Sequence, residues 1–291
     1  LDLRGPMAYS YVADYPVSIS EMVEPYPEYL RNAIQGDLGI SRMRRYSYGP
    51  IPVRDLLSRT LPRSLVLLGA AVLLSIGVGI AAGFLSVDYK TYRTNSLALV
   101  LSLMGFSMPG FYMAILALYL IIALAMKYGR GVFFLPTSGY GLDLHLVLPL
   151  LALAARPTAE ISRLTAELLG EELPKDYIRV ARSKGLSERS VVGGHAFRNV
   201  VAAVINALSN SWAYLIGSLV IIEKVFGWGG VGEALIDAVS FSQFAGSSFN
   251  APLVASLATA TALLFLLADQ VTGMAARALD PRLGRASGGA A

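Results

Sequence analysis

The sequence predicts an all-α polytopic membrane protein. Three observations carry that reading. Of 291 residues, 55% are hydrophobic and only 15% charged, where a soluble domain carries about 25% charge. Uncharged apolar runs recur at roughly the 20-residue length that a bilayer core of about 30 Å demands of a helix. The ten-residue alternating segments of a membrane β-barrel are absent. There is no cysteine, which excludes disulfides, thiolate metal sites and cysteine catalysis. With only His145 and His195, a histidine metal site would need carboxylates at ligand spacing, and none is visible. The net charge of +4 fits cytoplasmic loops of a membrane protein better than nucleic-acid binding.

Residues 1–60 hold no span. Tyr, Pro and Arg are frequent there; Ser20 to Asn32 suits a short helix and Gly36-Asp37-Leu38-Gly39 a turn. The first span is Leu65 to Ser86, uncharged throughout, with Pro62 and Arg63 marking its start. Gly69, Gly77, Gly79 and Gly83 run along it, and small residues let helices approach closely in lipid. After a polar loop, DYKTYRTN (88–95), Ser96 to Met126 is again uncharged. That is about 46 Å of helix, too long for one straight span and too short for two. Pro109-Gly110 in its middle predicts a kink or break near Met108–Gly110.

The next span runs from His145 to about Leu164 and carries Arg156 and Glu160 on one face. Charges at membrane depth face a bundle interior or a wet cavity; a pathway role and a structural ion pair both fit. Val200 to Ile222 is polar for a lipid-facing helix, with Asn206, Ser209, Asn210 and Ser211 inside it. One of its faces lines a translocation route or a subunit interface. Pro109, Arg156, Glu160, Asn206 and Asn210 are the candidate pathway residues. Residues 223–249 are Gly-rich around an amphipathic core, Val231 to Val239, and read as a re-entrant or interfacial element. Ala251 to Leu267 is the fifth span and 277–291 a polar tail. The domains are thus 1–60, extracytoplasmic; 61–276, the membrane domain, with a cytoplasmic loop at 165–199; and the tail.

Lys and Arg set the orientation. Loop 88–95, segment 163–198 and the tail carry 12, against 3 in loops 127–144 and 223–249. The 163–198 segment and the C-terminus are therefore placed in the cytoplasm. Five spans then leave residues 1–60 outside, and a segment with several Arg does not cross unaided. A further span N-terminal to Leu1 is expected.

The segment 171–199, EELPKDYIRVARSKGLSERSVVGGHAFRN, needs a reason of its own. Pro174 and Asp176 suit a helix start, Tyr177 to Ser183 a short amphipathic helix, and Gly185 its stop. This stretch resembles the cytoplasmic loop of binding-protein-dependent ABC importer permeases of the dipeptide/oligopeptide family, which reads D-Y-[VI]-R-x-A-R-[AS]-K-G-L followed by H-A-x-R-N. Ser107-Met108-Pro109-Gly110-Phe111, Leu135-Pro136-Thr137-Ser138-Gly139, Glu223-Lys224-Val225-Phe226 and Leu279-Asp280-Pro281-Arg282 resemble further stretches of that family. Gly229 stands where the family has Pro, and Ala166 where it often has a second Arg.

The resemblance implies a type I ABC importer transmembrane fold (MetI-like) of six spans, of which five are in this sequence. It implies a permease subunit moving peptides or oligosaccharides inward, itself without enzyme activity or cofactor. Asp176, Tyr177, Arg179, Ala181, Arg182, Lys184, Gly185, Leu186, His195, Arg198 and Asn199 would form the ATPase-coupling element. The implied partners are a homologous permease, two ATP-binding subunits holding ATP and Mg²⁺, an extracytoplasmic solute-binding protein and membrane lipid. The chain itself has no G-x-x-x-x-G-K-[ST] phosphate loop. The competing reading is a stand-alone secondary transporter or channel, for which only Arg156, Glu160 and Asp269 offer ion-coupling charges. An intramembrane enzyme lacks a nucleophile–base pair.

Overall fold

The computed structural model describes residues 27, 31–32, 34–41, 51–88, 91–95, 100, 105, 107–129, 135–244 and 251–279. Most of the expected helix at 20–32, most of the first half of the 96–126 run and tail residues 280–291 lie outside them, as does the side chain of Asn210. Among the described residues, five helices are long and apolar enough to cross a membrane, and a sixth candidate is a bent pair.

The turn at Gly36-Asp37-Leu38-Gly39 forms as expected. Gly36 and Gly39 take φ of +88° and +81°, and Asp37 Oδ1 accepts from the Gly39 amide at 3.0 Å. A two-residue strand β1 (Ile40–Ser41) pairs antiparallel with β2 (Ile51–Pro52). Helix α1 (Val53–Ser86) follows at once. It starts twelve residues before the expected span, and Pro62 lies inside it rather than at its head. The early start is held by tertiary burial: Val53 and Leu56 are inaccessible against Val231, Ala234, Leu253 and Leu257. At about 51 Å the helix exceeds the hydrocarbon thickness.

Strands β3 (Val87–Asp88) and β4 (Arg93–Thr94) make a tight hairpin on the end of α1. Helix α2 (Gly110–Tyr128) begins at the predicted break, with Pro109 extended at φ −61°, ψ 140°. A single 3₁₀ turn at Leu144–Leu146, capped by Asp143, leads into α3 (Val147–Glu172). The short helix α4 (Asp176–Ser183) comes next. A helical turn at Glu188–Ser190 and a π-helical segment Val191–Ala196 then run into α5 (Phe197–Phe226). After Gly227 in left-handed conformation (φ +60°) the chain bends by 74° into α6 (Val231–Phe244), the element expected to be re-entrant or interfacial. Helix α7 (Ala251–Leu279) closes the bundle.

The most extensive helix pair is α1 with α3. In lipid there is no hydrophobic drive to bring two helices together, so close packing of small residues has to do it. Ala71, Ser75, Gly79 and Gly83, four apart, are all buried on one face of α1. Ser75 Oγ reaches the Ala154 carbonyl at 3.3 Å. A Cβ on Gly79 would stand 2.8 Å from Ile161 Cβ, and one on Gly83 2.5 Å from Thr165 Cβ. Gly69 and Gly77 face open space, so only two of the four glycines make the interface. On the other side of α3, α5 packs against it, and Trp212 Nε1 ties α5 to α7 by donating to Thr272 Oγ1 at 2.8 Å.

Candidate functional site

An eight-residue helix is marginal in water by itself, so α4 must be held by what it touches. Its start is local chemistry: Lys175 is extended at φ −66°, ψ 150°, and Asp176 lies in the first turn. Its end is Gly185, at φ +79°, whose amide donates to the Arg182 carbonyl at 2.9 Å. No atom lies within 4 Å of where a Gly185 Cβ would be, so the glycine serves the dihedral, not a close contact. Between these ends Ile178 and Ala181 are buried with Leu169, Leu173, Val191, Ala196 and Val200. Burying Ile178 fully is worth about 1.5–3 kcal/mol.

Three polar anchors fix the helix further. Glu172, the last residue of α3, is buried; its Oε1 accepts from the Tyr177 hydroxyl at 2.6 Å and from Asn199 Nδ2 at 3.2 Å. Asn199 also donates to the Tyr177 oxygen at 2.9 Å, and Lys175 pairs with Glu172 Oε2. One carboxylate thus joins α3, α4 and α5. Burial, with the hydrogen bond to Glu172, pushes the Tyr177 hydroxyl up to about 12. Arg182 forks onto Glu188, Nε to Oε1 at 2.8 Å and Nη2 to Oε2 at 3.2 Å. That bidentate contact raises the guanidinium's already high pKa. Its Nη1 donates to the Tyr92 hydroxyl at 3.0 Å.

The residues expected to couple therefore divide. Tyr177, Ala181, Arg182 and Asn199 hold the element to the bundle, while Gly185 shapes it. Asp176, Arg179, Lys184, Leu186, His195 and Arg198 are exposed, as is Val180. Glu172, Glu188 and Tyr92 were not singled out in the sequence. The spacing of Glu172 to Tyr177 follows no helical repeat, and Tyr92 is 90 residues from Arg182.

Pro109, Arg156 and Glu160 are brought to one neighbourhood by α5. The Arg156 guanidinium lies over the Tyr214 ring at 4.3 Å. Ser211 Oγ donates to Glu160 Oε2 at 2.6 Å. A Cβ on Gly110, beside Pro109, would meet the Tyr214 hydroxyl at 2.7 Å. Asn206 is exposed on α5, outside this group. Tyr214 is the member the sequence did not reveal, an aromatic in an apolar helix having no distinguishing pattern.

At the far end of α5, Glu223 is inaccessible and caps α6. Its Oε2 accepts from the amides of Gly232 at 2.7 Å and Glu233 at 3.3 Å, and its Oε1 from Ser64 Oγ at 2.6 Å. A carboxylate on a helix N-terminus is favourable. Gly229, standing where Pro was expected, has φ +73° and donates its amide to Glu233 Oε2 at 2.6 Å; proline can do neither. Among the described residues no three His, Asp or Glu side chains are placed to hold a metal.

The family model described as "Binding-protein-dependent transport system inner membrane component" matches residues 67–285. The glutathione transport system permease protein GsiC of Escherichia coli O6:H1 (strain CFT073) is 30% identical over 255 residues, covering 88% of this chain and 77% of that protein. GsiC of Shigella flexneri serotype 5b is 29% identical over the same coverage. A chain of the MetNI methionine ABC transporter, solved in inward-facing conformations, superposes with a TM-score of 0.55 at 18% identity, covering 77% of this chain and 96% of that one. The likeness extends to the fold.

Proposed function

This chain belongs to the binding-protein-dependent transport system inner membrane component family, and from that premise we infer how a multi-pass permease subunit of an ABC importer is coupled to its motor. The observation that carries the reading is α4: a helix pinned to the bundle by Ile178, Glu172 and Arg182 that turns Asp176, Arg179, Val180 and Lys184 outward. An amphipathic helix with a rigid inner face and a free outer face suits a groove in a partner. The partner is an ATP-binding subunit, one of two, and ATP with its Mg²⁺ is held there. Closure of the two ATP-binding subunits moves α4 and its counterpart on a homologous second permease, and the bundle changes its access. Hydrolysis is thus outside this chain.

The 163–198 segment and the tail face the cytoplasm in this scheme, and residues 1–60 with 223–249 face an extracytoplasmic solute-binding protein. The cargo is a peptide, because the relatives are named for glutathione, a tripeptide; an oligosaccharide is the alternative outcome of ligand identification on the cognate binding protein. Pro109, Arg156, Glu160 and Asn206 line the route, with Tyr214 setting the Arg156 guanidinium. Purification of the tagged chain from its host tests the scheme: an ATPase subunit co-purifies, and Gly185→Pro abolishes uptake. Absence of any ATPase subunit together with normal uptake by Gly185→Pro overturns it in favour of a stand-alone transporter.

A further inference from the structure

Helix α4 has a third tether besides α3 and α5, and it leads to α1. Asn95 donates its amide to the Ser86 carbonyl at 2.8 Å, closing the β3–β4 hairpin directly onto the last residue of α1. Val87 is buried in the same cluster as Ile178 and Ala181, with Phe84 and Tyr92 packed at its edge. Inside the hairpin, Tyr92 donates its amide to the Asp88 carbonyl at 2.7 Å and takes φ +56°. It is the one non-glycine residue with positive φ among the described residues, a conformation that persists only where the surroundings impose it.

Those surroundings are specific. The Tyr92 carbonyl lies against α3 where the chain has Gly170; a Cβ there would stand 2.7 Å from that oxygen. The Tyr92 hydroxyl accepts from Arg182, whose guanidinium lies 5.6 Å from the ring centroid and is locked by Glu188. Tyr92 therefore touches α3 with its backbone and α4 with its side chain, and the hairpin that holds it is bonded to α1 through Asn95.

We propose that Tyr92 is a positioning residue that makes α4, the end of α3 and the end of α1 move as one body, so that a displacement of α4 is delivered to α1 as well as along the chain. This rests on the coupling role assigned to α4. Packed elements transmit displacement as discrete rigid bodies. Without the hairpin contact, a displacement of α4 reaches α1 only by way of α3.

The test uses the intact importer, with both permeases, the ATPase subunits and the binding protein, reconstituted in liposomes. The readout is cargo molecules imported per ATP hydrolysed. Tyr92→Ala is expected to lower that ratio about fivefold or more, the lower end of measured coupling free energies. A purely structural role lowers uptake and hydrolysis in proportion, and an unchanged ratio overturns the proposal. If Tyr92→Ala does not assemble, Tyr92→Phe carries the test. It keeps the ring and loses the acceptor, with about a twofold fall expected for one hydrogen bond; an unchanged ratio again overturns it.

The chain has no cysteine, so Val180→Cys, exposed on α4, can be cross-linked to single cysteines along the ATPase subunit. Failure to cross-link removes the coupling role and this proposal with it. A cross-link with an unchanged ratio removes this proposal alone.

Discussion

The hydroxyl of Tyr177 donates to Glu172 Oε1 at 2.6 Å, and that carboxylate is the joint at which three helices meet. Tyr177→Phe is expected to cost about 1.5–3 kcal/mol, the range for a hydrogen bond to a charged acceptor. Glu172→Ala costs more, because it leaves Tyr177, Lys175 and Asn199 without their shared acceptor. Thermal unfolding of the detergent-solubilised complex checks the order. The pH dependence has a definite sign. The folded-state pKa of Tyr177 is raised from 10.0 to about 12, so its stabilisation is complete below pH 10 and is lost as pH rises towards 12. The stability gap between the native chain and Tyr177→Phe should close over that window and be flat from pH 7 to 9.

The glycines of α1 are expected to separate sharply. Gly83→Ala places a Cβ 2.5 Å from Thr165 Cβ and 2.8 Å from the Ser162 carbonyl, and Gly79→Ala one 2.8 Å from Ile161 Cβ. Each should cost about 1–3 kcal/mol as overpacking. Gly69→Ala and Gly77→Ala meet nothing within 4 Å and should be neutral or gain up to about 1 kcal/mol from helix propensity. Unfolding temperatures of the four variants decide it. Thr165→Gly should relieve Gly83→Ala only in part in the double variant, because the Ser162 carbonyl stays 2.8 Å from the added Cβ.

Restoring the proline of the family pattern should damage this chain. Gly229→Pro needs φ near −65° where the backbone has +73°, and it deletes the amide that donates to Glu233. A loss of about 3 kcal/mol or more is expected. Glu223→Ala should be at least comparable, since Ser64 Oγ and the Gly232 amide lose a buried acceptor. Limited proteolysis at the α5–α6 bend reports both.

Gly185 gives a graded series. Its φ of +79° with open space around it means that a side chain is strained but not blocked. Asn tolerates the left-handed region, Ala pays about 1–2 kcal/mol, and a β-branched residue more. Uptake should therefore fall in the order Gly, Asn, Ala, Val. Equal uptake for Val and Asn would remove the conformational argument.

The class, the number of spans, the break at Pro109 and the limits of α4 were legible in the sequence. Each is written in neighbouring residues: uncharged length for the spans, an imino ring for the break, proline, acid and glycine for the short helix. The start of α1 was not legible, because Val53 and Leu56 are made helical by residues of α6 and α7 some 180 to 200 positions away. Nor was the sorting of 171–199 into anchors and outward residues. Arg179 and Arg182 are chemically alike in the sequence, yet one is exposed and the other is clamped by Glu188 and Tyr92.

The sequence by itself determined that this chain crosses a membrane as helices, and its stretch 171–199 pointed to the permease family. Hydropathy and short-range backbone chemistry are properties of the residues themselves. The tertiary structure alone decided which glycines of α1 touch α3, which carboxylate caps α6, and that Glu172 and Tyr92 hold α4 between three helices. Those depend on which distant groups meet once the bundle has formed, where a fraction of an ångström separates a contact from a clash.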